Sequence, residues 1–153
     1  MKNKMNRILI AGLIIIAALS SCKYFGPKQN SEGEPWTLQQ LMEPAVLNNT
    51  INNPNAEKPL IYSIGFGGGI KGSVEMGAAR DEVNLEKFKA TLSTLPKNAN
   101  IVIYCGCCPF EHCPNVRPAF KLLNDMGFTN HKLLNLKENF KVDWLDKGYA
   151  VIK

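Results

Sequence analysis

Four of the five cysteines in this chain fall within residues 105–117, whose sequence is CGCCPFEHCPNVR. The same stretch contains one of the two histidines. A cysteine thiolate is a nucleophile and a soft metal ligand, and two neighbouring thiols can oxidise to a disulfide. The stretch therefore predicts a sulfur nucleophile with helper groups, a metal centre or a disulfide, and the residues alone leave all three open.

The cysteine stretch lies between two segments with a regular hydrophobic pattern. Residues 100–105, NIVIYC, are mostly apolar and β-branched, which is typical of a short buried strand. Residues 116–127 repeat apolar side chains at helical spacing, with Pro118 in the first turn and Gly127 as a C-terminal stop. Cys105 therefore ends a strand, directly before the loop that leads to a helix.

Short apolar segments alternate with amphipathic segments along the rest of the chain. We predict strands at residues 60–64 and 131–136, and helices at residues 85–95, capped by Asn84, and at residues 138–148. This alternation favours an α/β domain with a mainly parallel sheet. In such sheets, sites form at the carboxyl ends of the strands, which is where the cysteine stretch begins.

Two further segments complete the predicted domain. Residues 36–47 predict a helix with Thr37 as its N-cap, broken or ended near Pro44, and residues 48–59 are rich in turn formers and predict a loop. The run Gly67–Gly68–Gly69 lacks the residues of a nucleotide-binding loop and predicts a tight turn beneath the cysteine loop.

Cys105 is the predicted nucleophile and Arg117 its predicted partner. Backbone N–H groups of the loop and of the helix start can converge on the Cys105 sulfur and favour the thiolate. Arg117 lies at the start of the helix, and its planar guanidinium suits the oxygen atoms of a sulfur or phosphorus oxyanion. The two residues together predict a catalytic thiolate with a clamp for an anionic substrate.

Three segments of the chain resemble the rhodanese-like sulfurtransferase domains over roughly residues 59–151. They are IVIYC with the arginine-led helix and glycine that follow, GGIKGS at residues 68–73, and NFKVDWLDKGYAV near the C-terminus. The resemblance implies a central parallel sheet of five strands with helices on both faces. It also implies that Cys105 takes sulfane sulfur as a persulfide and passes it to a nucleophile, with a small sulfur-containing anion or a protein thiol as the partner.

The sequence departs from that family in the loop and in the first strand. Eleven residues separate Cys105 from Arg117, whereas the loop of the family is short. Ser63 and Gly65 stand where the family usually has an acid and an arginine, and Gly69 stands at the position of a histidine. The expected function is therefore that of a sulfurtransferase or of a thiol-redox protein.

The other cysteines of the loop leave alternatives open. Cys107, Cys108 and Cys113 are a resolving or structural set, and Cys108 or Cys107 could pair with Cys113 in a disulfide whose connectivity the sequence does not give. A metal site for Zn²⁺ or Cu(I) is the other alternative, although the spacing lacks paired C-x2-C knuckles. Its candidate ligands are Cys105, Cys107, Cys108, His112 and Cys113. The chain would then be a non-catalytic rhodanese-like module.

The N-terminal residues predict export and lipid attachment. Lys2, Lys4 and Arg7 precede an uncharged apolar run, and Leu19-Ser20-Ser21-Cys22 resembles a bacterial lipobox. We therefore predict a signal peptide at residues 1–21, lipid on Cys22, a flexible tether at 22–35 and the domain at 36–153. The expected location is the cell envelope, on a membrane facing the periplasm or the exterior, where disulfides are permitted.

The charge of the chain does not favour a nucleic-acid partner. The formal charge is +5 and the pI about 9.0, but three of the cations lie in residues 1–21 and no anion does. The remaining chain carries only +2, which is too little for a strong basic surface. The expected partners are thus a small sulfur compound or protein thiol and, through the lipid, a membrane.

Overall fold

Five parallel strands form the centre of the fold in a computed structural model that describes residues 33–152. The strands are β1 (Leu41–Met42), β2 (Leu60–Ser63), β3 (Ser73–Glu75), β4 (Ile101–Tyr104) and β5 (His131–Leu134). Their order across the sheet is β1-β5-β4-β2-β3, and each neighbouring pair is parallel. The predicted α/β class with a parallel sheet is therefore confirmed, and the strand that ends at the cysteine loop is the central one.

Helices cover both faces of this sheet. The long helices are α1 (Pro44–Asn52), α2 (Glu82–Ser93) and α3 (Val116–Asp125), and a short π-helix lies at Lys141–Leu145. Along β4, Ile101 and Ile103 pack with the apolar residues of α2 and α3, while Val102 and Tyr104 pack with those of α1 and the π-helix. Because successive strand residues point to opposite faces, the all-apolar sequence of β4 suits a strand that is buried on both sides.

The first helix begins later than the sequence analysis predicted. Residues 38–40 form a 3₁₀ turn, residues 41–42 form β1, and α1 starts only at Pro44. Proline favours an extended residue before it, and Glu43 has φ −68° and ψ 141°. The predicted loop at residues 48–52 is helical because Leu47 and Ile51, four residues apart, are both buried.

Two other predicted helices have different ends. Helix α2 begins at Glu82 after Asp81, and the Asn84 amide donates to the Ala78 carbonyl oxygen (3.2 Å) instead of capping the helix. The last helix is a single π-helical stretch followed by a turn to Gly148, although Phe140 and Trp144 are buried as predicted. Strand β3 was not predicted, since three residues are too few to display a period of two.

The described residues contain no helix long and apolar enough to cross a membrane. The predicted signal peptide at residues 1–21, the Cys22 lipid site and most of the tether lie outside the residues that the structure describes.

Replacing Phe88 with alanine should destabilise the fold because the ring is fully buried and packs edge-on against Tyr62, with 5.3 Å between the ring centroids. We expect Phe88→Ala to lower the free energy of unfolding by about 3–5 kcal/mol, measured by urea denaturation. The matched control is Phe66→Ala, since Phe66 is 61% exposed and its loss should cost under about 0.5 kcal/mol. Equal losses of unfolding free energy in Phe88→Ala and Phe66→Ala would contradict the burial of Phe88.

Candidate active site

Cys105 follows β4 directly and is only 2% exposed. The backbone on either side is held in place: the Cys105 neighbour Gly106 donates its N–H to the Phe66 carbonyl (2.9 Å) and accepts the Phe140 N–H (2.9 Å). A Cβ on Gly106 would lie 2.7 Å from the Phe140 Cβ, so glycine is needed at this point. The backbone that carries the Cys105 sulfur is therefore fixed at the end of β4, as predicted from the sequence.

The glycine turn after β2 lies against the cysteine loop, as predicted from the run of glycines. A Cβ on Gly65 would lie 2.3 Å from the Cys105 sulfur, and one on Gly67 would lie 2.4 Å from the Gly106 carbonyl carbon. Gly67 also has a φ of +115°, which side chains rarely adopt. The Cys105 sulfur thus occupies the space that any side chain at position 65 would fill.

The sulfurs of Cys105, Cys107 and Cys113 form a cluster in which all three lie within 4.8 Å of one another. The Cys105 and Cys107 sulfurs are 3.4 Å apart, and the Cys108 sulfur lies 3.2 Å from that of Cys107 but outside the cluster. All four cysteines are free thiols in this structure, so the predicted disulfide stays a prediction. Cys113 is buried like Cys105, whereas Cys107 is exposed.

Asn115 is the residue of this site that the sequence analysis did not identify. It directly precedes α3 and is 3% exposed. Its side-chain oxygen accepts the Arg80 backbone N–H (3.1 Å), which leaves the amide nitrogen directed at the Cys105 sulfur, 3.5 Å away. An asparagine next to a predicted helix start was visible in the sequence, but its contact with a sulfur ten residues earlier depends on how the loop folds back.

The hydrogen bonds around Cys105 favour its thiolate. They lower the pKa of Cys105 from 9.0 to about 5: the main contribution is a hydrogen bond from the Cys113 thiol, followed by the Cys107 backbone N–H and the Asn115 amide. Burial acts in the opposite direction, because it disfavours the charged form. Hydrogen bonds that stabilise the thiolate therefore outweigh the loss of solvation.

The two neighbouring cysteines of the cluster stay protonated when Cys105 is charged. Burial, followed by hydrogen bonds with the Cys108 and Cys105 sulfurs, raises the pKa of Cys107 to about 12. The hydrogen bond to Cys105 raises the pKa of Cys113 well above its usual range, with burial second. At neutral pH the cluster therefore holds one thiolate, at Cys105, and two thiol donors.

Arg117 and His112 lie outside this cluster. The Arg117 guanidinium pairs with the Glu34 carboxylate, donates to the Glu111 carbonyl (2.7 Å) and stands over the Trp36 ring at 5.5 Å. Among the described residues, no hydrogen bond joins Arg117 to Cys105. Exposed His112 is not among the clustered candidate ligands. The structure thus brings together three of the predicted site residues, Cys105, Cys107 and Cys113. Arg117 instead pairs with Glu34, in the segment that precedes the predicted domain.

Arg117 instead lines a separate cavity of about 460 Å³. The floor is aromatic, since Trp36 packs edge-on against Phe110 and Phe120, with ring centroids 5.9 and 5.8 Å apart. Glu34, next to the predicted boundary between tether and domain, has one buried carboxylate oxygen without a hydrogen-bond partner. Contacts with the domain therefore begin within the predicted tether, at Glu34.

Searches of protein-family models, of curated proteins and of solved structures found no match to this chain.

Removing the Cys113 thiol should raise the pKa of Cys105, because the thiolate loses its main hydrogen-bond donor. In the native protein the thiolate signal at Cys105 should appear as pH rises through about 5. In Cys113→Ala we expect that transition at a higher pH, measured by ultraviolet thiolate absorbance in a background where Cys107 and Cys108 are serine. In the same background, Cys113→Ser retains a hydroxyl donor and should shift the transition less. Identical transitions in this background with Cys113, with Cys113→Ala and with Cys113→Ser would show that Cys113 does not stabilise the thiolate.

Proposed function

We propose that this protein is a rhodanese-like sulfurtransferase in which Cys105 carries the transferred sulfur. The observation that carries the proposal is the buried Cys105 thiolate at the carboxyl end of the central strand, with thiol and amide donors around it. A thiolate is the reactive form of cysteine, and a pKa below neutrality keeps it ionised at working pH. The parallel five-stranded sheet with helices on both faces agrees with what the resemblance implies.

The proposed step breaks one sulfur–sulfur bond and forms another. The Cys105 thiolate attacks the outer, sulfane sulfur of a donor such as thiosulfate. A new bond joins the two sulfurs, the donor bond breaks, and sulfite leaves with the electron pair. Cys105 then carries a persulfide with one negative charge, which the donors that served the thiolate can still stabilise.

A small anionic donor suits this site better than a bulky one. Cys105 is 2% exposed, so a donor must reach its sulfur past the exposed Cys107 side chain. Arg117 can act as the anion clamp only if its guanidinium leaves the Glu34 carboxylate. A sulfur-containing anion would compete with Glu34 for that guanidinium, while a protein thiol remains the candidate acceptor.

The decisive experiment is to incubate the reduced domain with thiosulfate and to map added sulfur by mass spectrometry. At the earliest time points we expect one added sulfur atom on Cys105, and none at any time in Cys105→Ser, because the serine hydroxyl is not ionised at neutral pH. Cys108→Ser is the matched control and should still take up sulfur, since its sulfur lies outside the cluster. Sulfur uptake by Cys105→Ser equal to that of the native protein would refute the assignment.

We further propose that the protein is a lipoprotein held at the cell envelope through Cys22. The support is the sequence of residues 1–22, with its basic start, apolar run and lipobox-like end. The predicted tether, residues 22–35, gives about a dozen residues between the lipid and Trp36. The cysteine loop would then act on compounds outside the cytoplasm.

Changing Cys22 to serine should prevent lipid attachment and leave an uncleaved precursor, because the lipid-dependent cleavage requires the cysteine. The measurement is the mass of the protein recovered from membrane fractions, compared with that of the native chain. Ser21→Ala is the matched control, because it changes the neighbouring residue and keeps Cys22, and it should be processed normally. Normal cleavage of Cys22→Ser would indicate an ordinary signal peptide.

The sulfur cluster favours one second candidate function, the binding of a soft metal ion. Cys105, Cys107 and Cys113 together present three sulfurs within 4.8 Å, which suits a three-coordinate Cu(I) site better than Zn²⁺, for which His112 is not in place as a fourth ligand. The chain would then be a non-catalytic rhodanese-like module. One metal ion per purified chain, lost on Cys113→Ser but not on Cys108→Ser, would favour this candidate.

A further inference from the structure

We propose that Cys107 is the resolving thiol of this site, so that the protein reduces sulfane sulfur to sulfide and ends the cycle with a Cys105–Cys107 disulfide. This inference rests on the proposed persulfide at Cys105. It separates the role of Cys107 from that of Cys113, and it names sulfide as a product.

The distance between the two sulfurs is the first support. The Cys105 and Cys107 sulfurs are 3.4 Å apart, so a disulfide can form with a small side-chain movement. Gly106 lies between the two cysteines, and its backbone is fixed by hydrogen bonds to Phe66 and Phe140. The pair is therefore held in place by the fold.

The proposed step is balanced in atoms and electrons. The Cys107 sulfur attacks the inner sulfur of the Cys105 persulfide, and the bond between that sulfur and the outer one breaks. The outer sulfur leaves as hydrosulfide with the electron pair and with the proton that Cys107 gives up. The outer sulfur gains one electron and the Cys107 sulfur loses one, while the Cys105 sulfur keeps the oxidation state that it reached in the persulfide.

The proton of Cys107 must leave as its sulfur attacks, because the thiolate is the nucleophile in thiol–disulfide chemistry. The negatively charged outer sulfur of the persulfide is the proton acceptor that the step itself supplies. The proton therefore passes from Cys107 to the sulfide that departs.

Cys107 differs from Cys113, the other thiol of the cluster, in its exposure to solvent. A reductant must attack one sulfur of the disulfide to restore the site. Cys113 is 0% exposed and Cys105 is 2% exposed, so a disulfide between them would be shielded from a protein reductant. Cys107 is exposed, and a disulfide that includes it presents a sulfur to solvent.

The surroundings of Cys105 also set the direction of that last exchange. The sulfur that is better stabilised as a thiolate is the better leaving group in thiol–disulfide exchange. An external dithiol would attack the exposed Cys107 sulfur and release Cys105 as the thiolate, which accepts a hydrogen bond from the Asn115 amide (3.5 Å). A second exchange within that mixed disulfide frees Cys107 and leaves the external dithiol oxidised. The required partner class is thus a dithiol reductant.

The test is to mix the fully reduced protein with one equivalent of thiosulfate in the absence of reductant, and to measure released sulfide and the thiol map. We expect about one sulfide per chain from the native protein, with a disulfide linking Cys105 and Cys107. In Cys107→Ser the outer sulfur should stay on Cys105, and sulfide release should fall by about 100-fold or more. Cys108→Ser is the matched control and should release sulfide like the native protein.

The remaining outcomes separate failure of this inference from failure of the proposed function. A stable Cys105 persulfide in the native protein, without sulfide, would leave the sulfurtransferase standing and overturn the resolving role. Loss of sulfide release in Cys113→Ser with normal release in Cys107→Ser would give the role to Cys113. No sulfide from the native protein, together with no added sulfur on any cysteine of Cys107→Ser, would overturn both proposals. Circular dichroism of each variant establishes that it is folded.

Discussion

One buried negative charge, on the Cys105 sulfur, is the constraint on which the rest of the site depends. Removing a charge from water is unfavourable unless hydrogen bonds replace the lost solvation. Here the replacement comes from the Cys113 thiol, a backbone N–H and the Asn115 amide, with no cation in the described contacts of the sulfur. The hydrogen bond between Cys113 and Cys105 lowers the pKa of Cys105 and raises that of Cys113, whereas burial is the main cause of the raised pKa of Cys107.

The surrounding fold is arranged to bring these neutral donors close to the sulfur. Glycine at positions 65, 67 and 106 allows the turn after β2 to press against the cysteine loop, where any Cβ would collide. Asn115 links the same region to Arg80 in the chain that leads into α2. This packing therefore holds neutral donors, among them the Asn115 amide, where they stabilise negative charge on the Cys105 sulfur.

A second group of contacts ties the N-terminal chain to the far side of the loop. Trp36 is 2% exposed and packs between Phe110, within the loop, and Phe120, on α3, while Arg117 joins Glu34 above it. Aromatic burial of this kind contributes several kcal/mol, whereas the partly exposed ion pair contributes about 1 kcal/mol or less. The loop between Cys105 and Arg117 is thus fixed at both ends, although it is long.

The sequence by itself determined the fold class, the strand end at which Cys105 lies and much of the core, because each depends on local pattern. The apolar strand at residues 101–104, the helix after it and the buried Phe140 and Trp144 all show in the hydrophobic spacing. Tertiary structure alone decided the start of the first helix, the short outer strands, the role of Asn115 and the pairing of Arg117 with Glu34. Those features depend on contacts between residues far apart in the chain, such as the 83 positions that separate Glu34 from Arg117, and such contacts have no local periodicity to reveal them.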